Sequence, residues 1–309
     1  MNKKIAVLLK VVVSLGLITF LVSQVDFKTI VGLLKDVDIT MIIYTIILLT
    51  IQIFITTIRW QFVLKCQKIT LEYKNTLQIL YSGLFFNQVM PSSVGGDVIR
   101  GYYLKKQGMT LGRATLGVLM DRLFGMMGLV LLVIASFPLL FELVNDSIAR
   151  SGVLLIALGI ILVLIFVFFT DKLPVNFSHF KIIRGFYSLS REGRYCISNN
   201  YNGVIIIILS VLIHLISVVA VMIMAIGLGI NVEFGGFLLI VSLVGLIMVV
   251  PISIAGWGVR EGVMVVGFGY LGVVPEAALA LSILFGLLVL TVSLPGGIIW
   301  VLKRSHIPD

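Results

Sequence analysis

Runs of about twenty apolar residues recur along this chain, and that is the length a helix needs to cross the hydrocarbon core of a bilayer. They fall at roughly residues 5–22, 41–64, 114–140, 151–170, 203–228 and 277–301. Two further apolar stretches, about 77–106 and 236–271, are each broken by a polar motif bearing proline and glycine. With 60% hydrophobic and only 12% charged residues, the chain reads as an all-α polytopic membrane protein. The expected architecture is about six full spans plus two broken, re-entrant hairpins, in one integral membrane domain over 1–309. The first run follows Met1-Asn2-Lys3-Lys4, like a signal-peptide start. No small-x-small cleavage site follows it and more spans do, so it is expected to stay as an anchor.

The two interruptions share a skeleton. Pro91-Ser92-Ser93-Val94-Gly95-Gly96-Asp97-Val98-Ile99-Arg100 is matched by Pro251-Ile252-Ser253-Ile254-Ala255-Gly256-Trp257-Gly258-Val259-Arg260, with proline, serine, glycine and arginine at the same offsets. Ser82/Ser242, Val89/Val249, Leu111/Leu271 and Gly112/Gly272 extend the ungapped register. A doubled helix-breaking hairpin in a membrane chain marks a transporter built from two repeats. The repeats are expected at 41–140, with its hairpin at about 77–106, and at 203–301, with its hairpin at about 236–271.

The net charge is +9, and its placement sets topology. Lys3, Lys4 and Lys10 mark the first span; Lys65, Lys68 and Lys74 follow the second. Lys105, Lys106 and Arg113 follow the first hairpin, five basic residues lie in 171–202 (Lys172, Lys181, Arg184, Arg191, Arg194), and Lys303 and Arg304 close the chain. The connections 23–40, 141–150 and 229–235 are poor in net positive charge. The positive-inside rule puts the basic group and both termini in the cytoplasm, in the cell (cytoplasmic) membrane. The two repeats then have opposite orientation, with one hairpin dipping in from each side. The basic face suits anionic lipid, although a topology signal alone explains it too. The basic cytoplasmic loop 171–202 reads either as a surface helix over Phe180–Tyr195 or as a solvated loop. Cys66 and Cys196 fall in loops assigned to the cytosol, outside any CxxC or Cys/His cluster, so neither a disulfide nor zinc is expected.

Irregular backbone at membrane depth must be buried in protein or line a wet cavity. Pro91 ends the helix before it, and Gly95 and Gly96 permit a tight turn. A helix starting near Asp97 is expected to present unpaired N–H groups that suit an anion, phosphate above all. Ser92 and Ser93 can cap that helix or donate to a ligand oxygen. Ser253, Gly256 and Gly258 repeat the pattern, and Trp257 stands where Asp97 does. Complementing the helix dipole is a second reading of Asp97, and close helix packing a second reading of the glycines.

Arg100, Asp121, Arg122, Arg260 and Glu261 lie in or beside apolar runs, where charge is expensive and faces a cavity or a partner. Asp121 and Arg122 are adjacent and point about 100° apart on a helix, so each is expected to pair elsewhere, with Asp97, Arg100, Arg260 and Glu261 as candidates. Asp97 and Arg100 can share a face. A static network fits this pattern. So does a set of arginines that meet a lipid phosphate, and carboxylates that meet a cationic headgroup, while partners exchange. Arg59 near a span end is expected to snorkel, and His214 among Ile, Leu and Val reads as a hydrogen-bonded core histidine.

Asn87-x-x-x-Pro91-Ser92-Ser93-Val94-Gly95-Gly96-Asp97-x-x-Arg100, Asp121-Arg122-x-x-Gly125 and Gly256-x-Gly258-x-Arg260-Glu261-Gly262 together resemble the lysylphosphatidylglycerol synthase transmembrane-region family. The resemblance covers nearly the whole chain. It implies a flippase for aminoacylated phosphatidylglycerol, with shorter relatives associated with hopanoid and glycolipid cargo. Family members often carry a cytoplasmic domain that transfers lysine from lysyl-tRNA; nothing after Asp309 would hold one, so lysyl transfer is not expected.

The leading expectation is a lipid flippase, with polyprenyl-phosphate or a glycolipid as alternative cargo and a membrane partner of a separate synthase as a further alternative. A transferase would need a base, nucleophile or carboxylate cluster in a cavity, and no DxxD, HxxxxD or His/Cys set occurs. No catalytic residue, metal, cofactor or nucleic-acid partner is expected. Membrane phospholipids are the expected partners, with a homo-oligomer left open because spacings such as Gly112 to Gly117 are too loose to set one.

Overall fold

A computed structural model describes residues 25–90, 94–172, 181–198, 201–250, 253 and 255–304, together with 11, 12, 14, 16, 17, 19–21 and 23. The expected span 5–22, and Pro91, Ser92, Ser93, Pro251 and Ile252, therefore lie wholly or largely outside the described residues. The helices are α1 (Phe27–Lys35), α2 (Ile39–Cys66), α3 (Tyr73–Val89), α4 (Gly95–Lys106), α5 (Leu111–Ala135), α6 (Phe137–Leu143), α7 (Ser147–Phe169), α8 (Lys181–Ser198), α9 (Tyr201–Gly227), α10 (Phe234–Met248), α11 (Val259–Gly269) and α12 (Pro275–Arg304). The described residues form no strand. Among the described residues, five helices are long and apolar enough to cross a membrane: α2, α5, α7 with its short 3-10 extension to Lys172, α9 and α12. The chain is a multi-pass, all-helical membrane protein.

Helix starts follow local chemistry. Asp38 Oδ1 accepts from Thr40 N at 2.8 Å, and Asp146 Oδ1 accepts from Ile148 N at 2.7 Å, each satisfying an amide that the helix leaves unpaired. The Ile148 amide, with that of Ala149, holds the exposed Asp146 carboxyl below its usual range. The run expected at 114–140 ends as a span at Ala135. Pro138, which has no amide to donate, sits in the first turn of the separate helix α6, where that donor is not needed. Both expected interruptions are helix ends: α3 stops at Val89 and α4 begins at Gly95, while α10 stops at Met248 and α11 begins at Val259.

The helices pack in matched pairs. The most extensive contact is α2 against α9. Around it α3 packs on α4 and α10 on α11, and α4 packs on α5 and α11 on α12. Crosswise, α3 lies along α12 and α10 along α5. Each broken helix pair thus leans on an unbroken span from the other half of the chain. The shared core includes Trp60, Met120, Phe124, Ile206, Met224, Phe237 and Phe268, all fully buried.

The segment 171–202 contains α8 rather than an extended loop. Leu189 and Cys196 face inward, whereas Arg184, Phe186, Arg191 and Tyr195 are exposed, the two-faced pattern of a helix at an interface. Ser190 Oγ bonds to the Phe168 carbonyl and to Asp171 Oδ1, both at 2.6 Å, and Arg194 pairs with Asp171. The cysteine expectation is corrected here. Cys66 ends α2 and Cys196 lies in α8, with Cα atoms 5.4 Å apart, and the two form a disulfide. The expectation rested on cytosolic loops and local spacing; both cysteines instead lie in helices, and the fold brings together a pair 130 residues apart. Alkylation of the unreduced protein is therefore expected to modify neither cysteine, and reduction to expose both, as mass spectrometry would read; two alkylated thiols without reductant would contradict the pairing.

Candidate functional site

The first break is built by close contact. Met90, preceding Pro91, adopts an extended ψ of 145°, as the residue before a proline must. A Cβ at Gly96 would sit on the Gly83 carbonyl oxygen and 2.7 Å from Asn87 Cγ, so α3 and α4 can cross this tightly only with glycine there. Asn87 Oδ1 accepts from Gly96 N at 2.9 Å, and the Asp97 and Val98 amides donate back to the Val94 carbonyl at 3.1 and 3.2 Å. The expectation of open amides at this helix start is corrected for residues 96–98: the chain itself takes them. Asn87, which the sequence shows only as part of the family-like motif, caps the Gly96 amide.

Charge at the break comes from side chains. Asp121 on α5 is 3% exposed and lies between two arginines. Arg59 of α2 approaches its Oδ1 at 2.9 Å and Arg100 of α4 its Oδ2 at 2.7 Å. Asp97 accepts from Arg122 Nε at 2.6 Å and lies 3.6 Å from Arg100 Nη1. The Arg100 guanidinium also stacks 4.0 Å from the Trp60 ring. Arg59, Asp121, Arg100, Asp97 and Arg122 thus form one chain of contacts across α2, α4 and α5. It holds three arginines against two aspartates, a formal excess of one positive charge among these residues. Arg122 is its most accessible member, with 39% of its side chain exposed.

Arg59 was expected to snorkel and does not; it is buried and also donates to Ser210 Oγ at 3.3 Å. The signal that could have found it is its position inside the apolar run 41–64, with Trp60 and Phe62 still to come. His214 is the hydrogen-bonded histidine expected, 3.0 Å from the Gly125 carbonyl.

The second break has a different chemistry. Gly256 and Gly258 adopt φ of 83° and 88°, a left-handed conformation that glycine accepts without strain. Gly258 N donates to Glu261 Oε2 at 2.5 Å, so this helix start is also closed by its own chain. Arg260 Nη2 lies 2.6 Å from Glu261 Oε1, Ser282 Oγ bonds the same oxygen at 3.1 Å, and the guanidinium stacks 4.6 Å from Trp257. Neighbouring Arg260 and Glu261 therefore pair with each other, not with the first network.

Between the breaks lies a cavity of about 140 Å³, lined by Asn87, Gln88, Arg122, Ser253, Gly256 and neighbours on α10 and α11. Of the residues singled out from sequence, Arg122, Ser253 and Gly256 reach it. Asp97 joins Arg122 to Arg100 and Asp121, Gly96 sits at the α3–α4 crossing and Gly95 against Met90, and Glu261 pairs with Arg260 while accepting from Gly258 N; none of Asp97, Arg100, Asp121, Gly95, Gly96, Gly258 or Glu261 lines this cavity. Arg260 lines an adjoining cavity of about 220 Å³ that shares Gln88, Met248 and Ala255 with the first. Ser92 and Ser93 lie outside the described residues.

The sequence model of the family described as "Lysylphosphatidylglycerol synthase TM region" matches residues 7–296. The chain is similar to the UPF0104 membrane protein MJ1595 of Methanocaldococcus jannaschii, 23% identical over 267 residues, 78% of this chain and 79% of that one. It is also similar to the UPF0104 membrane protein PH1989 of Pyrococcus horikoshii, 24% identical over 155 residues, 49% of this chain and 44% of that one.

Proposed function

The chain belongs to the lysylphosphatidylglycerol synthase TM region family, and from that premise we propose that it is a lipid flippase. It moves a phosphate-bearing headgroup, of aminoacyl-phosphatidylglycerol type, across the cytoplasmic membrane while the hydrocarbon stays in lipid. The observation that carries this reading is the polar cavity shared by the two breaks, with Asn87 and Gln88 from one side, Ser253 and Gly256 from the other, and Arg122 between them. Irregular backbone lining a cavity is how membrane transporters build substrate sites. The excess positive charge of the first network suits a phosphate, and arginine binds phosphate with directional hydrogen bonds.

The matched packing of α2 to α5 with α9 to α12 supports an inverted repeat over 41–140 and 203–301, with one hairpin entering from each face. In this arrangement the basic connections and both termini lie in the cytoplasm, and α8 lies on the anionic lipid surface.

Purified protein in liposomes carrying headgroup-labelled phosphatidylglycerol, lysyl-phosphatidylglycerol or polyprenyl phosphate tests both activity and cargo. Wild type is expected to equilibrate at least one of these lipids between leaflets. Arg122→Ala and Arg260→Ala are each expected to slow that movement about tenfold or more, the loss of a charge-assisted phosphate contact. Arg100→Ala slows it by releasing Asp97 and Asp121 from their shared partner. Wild-type rates in all three variants would refute the assignment.

A further inference from the structure

The cavity between the breaks does not end there. Gln88 lines it, the adjoining cavity beside Arg260, and a third of about 350 Å³. The second and third also share Ser217, Phe285 and Val289. Polarity falls along the series. The first holds Arg122, Asn87 and Ser253; the second mixes Arg260, His214 and Ser242 with apolar side chains; the third has no charged residue and sets Gln52, Thr56 and Ser293 among a larger apolar wall that includes Leu49, Leu84 and Val289. This third space lies where the α2–α9 pair meets the α3–α12 pair. A polar chamber leading into an apolar groove has the polarity of an amphiphile.

One side chain lining the middle chamber is left unpaired. Ser242 is 1% exposed, and its Oγ has no hydrogen-bond partner. A serine inside a helix ordinarily donates to the carbonyl one turn back. Ser82, its counterpart in the repeated motif, does so, to the Gln78 carbonyl at 2.8 Å. A buried hydroxyl left unpaired costs free energy, and Ser242 is one of the residues lining the cavity that Arg260 also lines.

We propose that the middle cavity is a second headgroup station, reached from the Arg122 cavity past Gln88. There the phosphate of a membrane lipid is held by Ser242 and Arg260 while its hydrocarbon occupies the groove between α2, α9, α3 and α12. The proposal rests on the flippase reading and adds to it where the lipid pauses and which residues hold it.

The test measures binding of a fluorescent short-chain phosphatidylglycerol to the purified full chain, with inorganic phosphate and glycerol 3-phosphate as competitors. Ser242→Ala is expected to weaken binding about tenfold, the loss of one hydrogen bond to a charged oxygen. Its thermal midpoint should stay level or rise, because an unpaired buried hydroxyl is gone. Leu84→Trp, which fills the groove, is expected to weaken the lipid probe by a similar factor and leave the affinity for glycerol 3-phosphate unchanged. Val289→Phe gives the same test from the opposite wall if the tryptophan variant does not fold. Wild-type affinity in Ser242→Ala overturns the station. Full lipid binding in folded groove variants overturns the hydrocarbon path, and competition by inorganic phosphate at the strength of the lipid reduces the site to a plain anion pocket. Wild type that neither binds nor moves any phospholipid would instead sink the flippase reading itself.

Discussion

Asp121→Ala is expected to leave little folded protein. The carboxylate is buried between Arg59 and Arg100, and its removal leaves Arg59 without a carboxylate and Arg100 with Asp97 at 3.6 Å as its remaining one, in a low-dielectric interior. Breaking a single buried ion pair costs about 3–5 kcal/mol; here one residue serves two partners on two different helices, so the upper end applies. Asp121→Asn keeps the shape but not the charge and is expected to recover only part of the loss. The yield of monodisperse protein after detergent extraction, with its thermal midpoint, reads the effect. A midpoint within a few degrees of wild type for Asp121→Ala would mean that the two arginines are satisfied without it.

Glu261 gives the second large effect and permits a cleaner separation of stability from function. Glu261→Ala leaves Arg260 buried and unpaired and removes the acceptor of the Gly258 amide, again about 3–5 kcal/mol. Replacing both members, Glu261→Ala with Arg260→Leu, removes both charges and is expected to restore much of the lost stability, the nonadditivity that residues in one network show. Lipid movement should not return with it, because the double variant lacks the arginine proposed to meet the phosphate. A double variant as unstable as Glu261→Ala alone would place the cost in the lost Gly258 contact instead. Recovery of transport together with stability would remove Arg260 from the lipid's route.

Five of the six expected spans, those from 41–64 onward, and the two breaks were legible because the information is local. A bilayer-length apolar run and a Pro/Gly interruption each declare themselves within about twenty residues. The pairing of Asp121 with Arg100 and of Asp97 with Arg122 was within reach too, since few charges in apolar surroundings leave few partners. Four features were not legible, each for a physical reason. Arg59 looked like a span-end cation because burial depends on which helices flank it, and its partner is on α5. Asn87 was visible only as part of a motif, since its capping of Gly96 depends on the crossing angle of α3 and α4. The Cys66–Cys196 bond depends on α8 folding back against the end of α2. Ser242 looked like a repeat match and no more, because an unsatisfied hydroxyl is a property of what surrounds it.

The crosswise packing has a consequence for how the molecule holds together. Since α3 lies along α12 and α10 along α5, neither half can present a finished surface to lipid alone; each supplies the other's missing wall. Genes encoding 1–172 and 181–309 as separate polypeptides should therefore yield two fragments that insert, find each other and purify as a non-covalent or Cys66–Cys196-linked pair, the way interleaved fingers stay clasped after the wrists are cut apart.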